Sequence, residues 1–441
     1  MKPVRVGLVG LGTVGAGVFQ TLRDNHDEIL RRVGCDIVVT MACRRDLAEA
    51  RAIVGEQLPL TTDPHEVIAS PDVDVVVELI GGVDAARELV LAAIAAGKHV
   101  VTANKALLAV HGNEIFAAAQ ERGVMVAFEA AVAGGIPIIK ALRESLAANR
   151  IEWIAGIING TTNFILSQMR DKAVSFDEAL AEAQALGYAE ADPSFDIQGT
   201  DAAHKAAIMS AIAFGIPVQF DKAYVEGIEQ LSGVDIRYAE QMGYRIKLLG
   251  LVRRRGTEGV ELRVHPTLVP ARRLIANVEG VMNAVMVRGD VVGTTLYYGE
   301  GAGASPTASA VIADLVDVAR TARGSPLARV PHLAFQPEAL RDEVVLPMEQ
   351  AWTGYYLRLL VLDQAGVLAR VATILAESGI SVGSLLQREA REVGGEGSRR
   401  TDLIILTHEA REGAMNEALA LLQALPAVLA PIVRIRKEEL V

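Results

Sequence analysis

The chain has 441 residues, 51% of them hydrophobic and 22% charged, an ordinary globular mixture long enough for two or three domains with full cores. Its net charge of −11 leaves no basic surplus to neutralise phosphates, which argues against a nucleic-acid partner and makes short runs such as Arg253-Arg254-Arg255 solvated loop charges. Two cysteines, Cys35 and Cys43, are too few for a disulfide framework and match no zinc spacing.

The opening "MKPVRVGLVGLG" is a strand running into glycines, not a signal peptide with a small-residue cleavage site. No apolar run spans a bilayer; the longest candidate, around residues 153–169, carries Asn, Thr, Ser and Gln. A soluble cytoplasmic protein without a membrane partner is expected.

Residues 1–133 alternate short apolar strands ("VRVGLVG", "DIVVTMAC", "VDVVVELI", "KHVVTAN", "VMVAFEA") with helical stretches, such as "DAARELVLAAIAAG" stopping at Gly97. The pattern predicts a doubly wound α/β domain with a parallel sheet. Gly10-x-Gly12-x-x-Gly15 follows the first strand and opens a helix. There the glycines allow a tight turn, a close pyrophosphate and close helix–strand packing, with the first helical residues, Thr13 and Val14, offering free N–H groups. Dinucleotide binding is expected. The second strand ends at Cys43, and Arg44 and Arg45 follow where an acidic residue would read a ribose 2′-hydroxyl. Guanidinium groups suit a 2′-phosphate, so the reading leans to NADP; a solvent-facing pair is the alternative, and nearby Asp46 leaves NAD open. Lys105, in "TANKALL", follows a strand end at the ligand-binding edge of such a sheet. It faces the nicotinamide end of the cleft or is a surface lysine in a helix's first turn; the sequence alone does not choose.

Residues 134–305 mix helical pieces (137–148, 175–186, 201–214, 235–250) with strands such as "IEWIAGIING" and "VELRVHPTLV", and an α+β domain with an open sheet is expected. Its most unusual stretch is "DPSFDIQGTDAAHK", which opens an apolar helix with carboxylates and one lysine. Asp201 and Lys205 are four apart and share a helix face. A protonated lysine held by a carboxylate can donate a proton to a carbonyl oxygen and stabilise its developing charge. Spacing alone favours a capped helix with an ordinary i,i+4 salt bridge, which is a common pair. "SPTASAVIADLVDVAR" reads as a helix over 305–320 with Ser305 as N-cap and Pro306 in its first turn, expected to pack back on the first domain. Residues 321–352 are a Pro-punctuated linker. Residues 354–437 read βαββαβ, a ferredoxin-like arrangement that includes a turn at 391–399.

The segment Ala183 to Lys205 has the form A-x3-G-Y-A-x2-D-P-x2-D-I-x-G-x-D-x3-K and closely resembles the signature of the homoserine dehydrogenases. "NKALL", "FEAAVAGGIPI", "INGTTNFIL" and "GEGAGASPTASAV" resemble that family in the same chain order, and the C-terminal unit resembles an ACT domain. The resemblance covers essentially the whole chain. It implies reversible, NAD(P)H-dependent reduction of L-aspartate 4-semialdehyde to L-homoserine in threonine, methionine and isoleucine biosynthesis. Lys205 then matches the proton donor, Lys105 a lysine beside the reacting carbon, and Asp201 the carboxylate that orients the lysine. Glu190 and Asp196 match carboxylates around the substrate ammonium, Gly160 and Thr161 the substrate loop, and Gly301 and Gly303 a second nucleotide loop. A monovalent cation, typically sodium, would rest on the Glu129 side chain and the carbonyls of Val132, Gly134 and Ile136. In the ACT unit, the turn Asp363 to Leu368 matches a ligand turn in which Gly366 lets the backbone approach an amino acid, with threonine the expected effector; Ala365 stands where the family often has proline. A homodimer or homotetramer is implied. A phosphorylating aldehyde dehydrogenase is disfavoured, because neither cysteine lies in the substrate domain. The competing readings are another NAD(P)-linked reductase on the same scaffold, or a sensor without turnover, which would need no proton donor.

Overall fold

The computed structural model describes residues 2–321, 324, 329–389, 393 and 399–441. Six parallel strands build the first sheet: β1 (Val4–Val9), β2 (Ile37–Cys43), β3 (Leu60–Thr61), β4 (Val75–Glu78), β5 (His99–Thr102) and β6 (Val126–Ala127). Their order is β3-β2-β1-β4-β5-β6, so the strand order reverses beside β1 and opens a crevice at the carboxyl ends of β1 and β4. These strands are nearly continuous apolar runs because helices cover both faces. One cover is the helix Ala304–Thr321, whose Ala308, Val311 and Leu315 share a core with Val6, Leu8 and Val18. It begins one residue before Ser305, and the Thr307 N–H donates to the Gly303 carbonyl at 3.2 Å, so Gly303 rather than Ser305 opens the helix.

The second sheet has eleven strands. Its centre is the antiparallel pair β9 (Tyr244–Arg254) and β10 (Val260–Pro270), with β7 (Ile151–Ile157), β8 (Tyr224–Val225), β11 (Met282–Gly289) and β12 (Gly293–Glu300) around it. The helix expected over 235–250 is half that length. It spans Gly233–Gln241 and stops before Gly243, whose φ of +81° breaks the helix, and Tyr244 begins a strand. The run "IKLLGLV" is apolar enough for either state, and its eleven-residue ladder with β10 decides for the strand.

The C-terminal unit follows β13 (Trp352–Leu362), helix Val367–Glu377, β14 (Val382–Gln387), β15 (Arg400–Thr407), the short β16 (Ala410–Arg411), helix Glu412–Gln423 and β17 (Val433–Lys437). The order β17-β13-β15-β14 is the ferredoxin-like one. The turn expected at 391–399 lies largely outside the described residues, as does part of the linker at 321–352. This unit is joined to the second sheet: β17 pairs in parallel with β10 at Thr267↔Arg436 and Leu268↔Lys437. Two backbone rungs are a weak join, and buried charges reinforce it. Arg436 bridges Glu412 at 2.5 Å and Glu226 at 2.7 Å, while Arg263 bridges Glu438 at 2.6 Å and Glu261 at 3.1 Å. On the neighbouring face, Asp235 accepts from Tyr356 Oη at 2.9 Å and Arg358 Nε at 2.6 Å.

Removing one member of such a buried pair leaves an uncompensated charge, so Glu438→Ala is expected to lower unfolding free energy by about 3–5 kcal/mol in chemical denaturation. A loss below about 1 kcal/mol would show that the seam does not depend on this pair.

Candidate active site

The nucleotide end is built by the turn after β1. Gly10 has φ +104°, and a Cβ there would lie 2.6 Å from the Leu79 carbonyl oxygen; one on Gly15 would lie 2.0 Å from the Gly10 carbonyl oxygen. Around Gly12 nothing lies within 4 Å of that position, so the backbone is open to a phosphate where Thr13 and Val14 begin the helix Thr13–Asp24. The residues present therefore fit a dinucleotide. Arg44 donates to the Leu11 carbonyl of this turn and to Glu49, and Arg45 is exposed beside it. Asp46 is engaged elsewhere: it caps the helix Leu47–Val54, accepting from the N–H groups of Ala48 at 2.9 Å and Glu49 at 3.0 Å. The Gly301 carbonyl packs so close to Gly134 that a Cβ on Gly134 would lie 2.4 Å from it.

Lys105 is delivered by a buried latch. Glu78, at the end of β4, accepts from Thr102 Oγ1 at 2.6 Å and the Ile80 N–H at 2.9 Å. Burial pushes the Glu78 carboxyl above its ordinary value, and these donors oppose the shift. Asn104 donates to the Gly82 carbonyl at 2.7 Å and caps the helix Lys105–Arg122 through the Leu107 N–H at 3.0 Å. Lys105 then leaves the first sheet and reaches the second domain, with its Nζ 3.1 Å from Asp201 Oδ1.

Asp201 lies on the helix Thr200–Phe214, every residue of which from Asp201 onward is buried. Its other oxygen, Oδ2, accepts from Lys205 Nζ at 2.7 Å and from Asn159 Nδ2 at 2.9 Å. Lys205 Nζ also donates to the Ile158 carbonyl at 2.7 Å, and the residue is 8% exposed. The spacing Asp201-x-x-x-Lys205 thus gives a buried pair rather than a surface salt bridge. Burial alone would raise the Asp201 carboxyl, but the ammonium groups of Lys205 and Lys105 overcome it and hold the carboxyl well below the usual carboxylate range. Burial pulls Lys205 below the ordinary lysine value of 10.5; Asp201 opposes that shift, and the Lys105 charge adds to it.

Asn159 is a residue that sequence reasoning missed. Its Nδ2 donates to both Asp196 Oδ1, at 2.7 Å, and Asp201 Oδ2, while its Oδ1 caps the helix Gly160–Asp171 through the Thr162 N–H at 2.9 Å. The available signal was an Asn just before "GTTN", an N-cap position. Asp196 is held in the cluster, and burial raises its carboxyl. Thr161 donates to the Tyr188 carbonyl at 2.6 Å, and Gly160 sits so close to Val281 that a Cβ would lie 2.6 Å from its carbonyl oxygen. Glu190 is exposed in the adjoining loop and is not drawn into the buried cluster. Asp192 is also exposed and accepts from the Ser194 N–H at 3.1 Å.

The Glu129 carboxylate is buried and accepts the N–H groups of Ile139 and Lys140, each at 2.8 Å. The Glu129 N–H donates to Asp314 at 2.8 Å; burial, with the charge of Glu129 second, pushes the Asp314 carboxyl up to about 8. Between Val132 and Ile136 the chain turns through Ala133 and Gly134, both at positive φ. Among the described residues no group of three or more His, Cys, Asp or Glu is arranged to hold a metal ion. A lone carboxylate with oxygen neighbours is a donor set for a hard cation rather than a transition metal, and here both Glu129 oxygens accept backbone N–H groups.

In the C-terminal unit, Asp363, Gln364, Ala365, Gly366 and Leu368 line a cavity together with Gln387 and Leu403. Gly366 has φ +90° and open space where a Cβ would stand.

Comparison with known proteins places these sites in a family. The homoserine dehydrogenase profile matches residues 137–316, the homoserine dehydrogenase NAD-binding domain profile residues 10–129, and the ACT domain profile residues 355–423. The homoserine dehydrogenase of Pseudomonas aeruginosa is 61% identical over 441 residues, covering 100% of both chains. A crystal structure of a homoserine dehydrogenase from Thiobacillus denitrificans superposes with a TM-score of 0.94 at 62% identity, covering 100% of this chain and 99% of that one. A hyperthermophilic archaeal homoserine dehydrogenase described in complex with NADPH gives a TM-score of 0.62 at 28% identity, covering 74% of this chain and 99% of that one. No helix among the described residues is long and apolar enough to cross a membrane. A dinucleotide turn, a buried lysine–carboxylate cluster reached by Lys105 from the same sheet, and matches over nearly the whole length lead to one conclusion: the chain belongs to the homoserine dehydrogenases, NAD(P)-dependent oxidoreductases, and carries a C-terminal ACT domain.

Proposed function

We propose that this chain interconverts L-aspartate 4-semialdehyde and L-homoserine with Lys205 as the proton donor and NADP as the preferred cofactor. The observation that carries the reading is the line Lys105–Asp201–Lys205, which joins the carboxyl edge of the nucleotide sheet to the buried helix of the second domain. The nicotinamide cofactor, when bound, supplies the hydride chemistry. Lys205 donates a proton to the aldehyde oxygen as charge develops there, and accepts one from the alcohol in the reverse direction. Asp201 holds both ammonium groups, and because they outnumber it the three groups carry one surplus positive charge toward that oxygen. Asn159 keeps Asp201 from rotating by fixing Oδ2. Asp196 and, once a ligand is present, the exposed Glu190 receive the substrate ammonium group. Gly160 and Thr161 form the substrate loop, and Gly301 and Gly303 meet the nucleotide.

Lys205→Ala is expected to lower kcat by roughly 10²–10⁴-fold while cofactor affinity stays near normal. Near-normal turnover in that variant would refute the assignment. The acid must be protonated to work, so reduction of the semialdehyde is expected to fall as pH rises through the depressed Lys205 value, before the ordinary 10.5 is reached. The sign is reversed for homoserine oxidation, which uses the neutral amine.

The NADP preference rests on Arg44, which donates to the glycine turn, and Arg45, with Asp46 withdrawn as a helix cap; the archaeal relative's NADPH complex points the same way. Arg44→Ala with Arg45→Ala is expected to raise KM for NADPH by about tenfold and KM for NADH by less than about twofold. Equal effects on both cofactors would overturn the preference.

Threonine is the proposed effector at the Asp363–Leu368 turn, and a sodium ion the proposed occupant beside Glu129, in a homodimer or homotetramer working in the cytoplasm. Initial rates measured with and without threonine, in sodium-containing and tetramethylammonium buffers, are expected to show inhibition by threonine and activation by sodium. Rates indifferent to either additive would remove the corresponding ligand from the account.

A further inference from the structure

Beside the Lys105–Asp201–Lys205 line stand two rings that the proton chemistry does not use. Phe195 belongs to the short helix Ser194–Ile197 and is 40% exposed. The Lys105 ammonium lies over its ring, 5.8 Å from the centroid. Behind Phe195 is His204, 5% exposed, with ring centroids 5.4 Å apart. His204 also meets Phe220 edge-on, at 4.2 Å and 67°. The four groups are therefore linked by successive contacts: Phe220 to His204, His204 to Phe195, Phe195 to Lys105.

Lys105 has a flexible four-carbon stem, its side chain is 35% exposed, and among the described residues its one carboxylate contact is Asp201 at 3.1 Å. A single carboxylate contact fixes the distance of an ammonium but not its direction. The negative face of an aromatic ring supplies a second point of attraction and so a direction. Phe195, half in solvent on a four-residue helix, cannot hold its own ring still. His204 can, because it is buried, packs on both Phe195 and Phe220, and rides on the same helix as Asp201 and Lys205. Asp196, the residue after Phe195, is pinned by Asn159, which anchors the Phe195 helix as well. Burial pulls the imidazole down to about 4, so it packs as a neutral aromatic plate, and its Nδ1 has no hydrogen-bond partner among the described residues.

We propose that Phe195 and His204 are positioning residues that clamp the Lys105 ammonium against Asp201, an inference that rests on the placement of Lys105 in the active site. The clamp acts through the shape and face of the rings, not through the histidine nitrogen.

The test is homoserine oxidation with NADP by Phe195→Ala, His204→Ala, the double variant, His204→Phe and Lys105→Ala, with thermal melting and NADP dissociation constants measured on each. Phe195→Ala and His204→Ala are expected to lower kcat by roughly fivefold to tenfold, with KM for NADP changed by less than about twofold. Because the residues act in series, the double variant is expected to be no slower than Phe195→Ala alone. His204→Phe, which keeps the plate and removes the nitrogen, is expected to recover most of the loss seen in His204→Ala. Wild-type kcat in Phe195→Ala, multiplying losses in the double variant, or a His204→Phe variant as slow as His204→Ala would each overturn the clamp. Phe195 is surface-exposed, so its variant keeps the test decisive should His204→Ala fail to fold. Normal turnover in Lys105→Ala would instead refute the underlying placement of Lys105.

Discussion

The structure depends on one carboxylate placed between two ammonium groups. Asp201 and Lys205 are buried, and a lone buried carboxylate or ammonium carries a desolvation cost of several kcal/mol, so neither is stable in this place without the other, while the more exposed Lys105 adds a second ammonium to the same carboxylate. Their grouping is also directional. Lys205 comes from the same helix one turn on, whereas Lys105 opens the helix that follows a strand of the other sheet. The ion cluster therefore links the two sheets, at the place proposed above for the reaction.

Much around the cluster can be understood as keeping it in register. Glu78, Thr102 and Asn104 fix the turn that aims Lys105, and Asn159 ties Asp201 to Asp196 while starting the next helix. Further out, the buried arginines of the seam carry the same logic to the C-terminal unit. Arg436 spans Glu412 and Glu226, and Glu226 lies two residues before Ile228, whose N–H donates to the Ile197 carbonyl, the residue next to Asp196. Contiguous bonded groups thus run from the ACT unit to the edge of the site.

The nucleotide half was largely legible in the sequence. Parallel strands covered on both faces must be short apolar runs, and the three glycines mark a turn in which two of them have no room for a side chain. The βαββαβ order of the C-terminal unit was equally plain. The centre of the second sheet was not, because "YRIKLLGLVRR" has no period that separates helix from strand, and its partner strand decides the matter through a ladder no local pattern reveals. The site was legible in part. The i,i+4 spacing put Asp201 and Lys205 on one face but could not say that the face is buried, since the whole helix is apolar. The meeting of Lys105 with Asp201 spans nearly a hundred residues and two sheets, and only the fold brings it about. Asp314 escaped notice because a single polar residue in an apolar helix carries no spacing signal, and the N-cap position of Asn159 does not reveal that its amide also reaches Asp196 and Asp201.

The most direct test of the account is an NMR titration of the lysine side-chain amines in the wild type and in Asp201→Asn, with the Lys205 signal assigned by its loss in Lys205→Arg. In the wild type the Lys205 amine is predicted to titrate below 10.5, and in Asp201→Asn lower still, because the charge that opposes its burial has been removed. A Lys205 amine that titrates like an exposed lysine, or that does not respond to the loss of Asp201, would contradict the central claim.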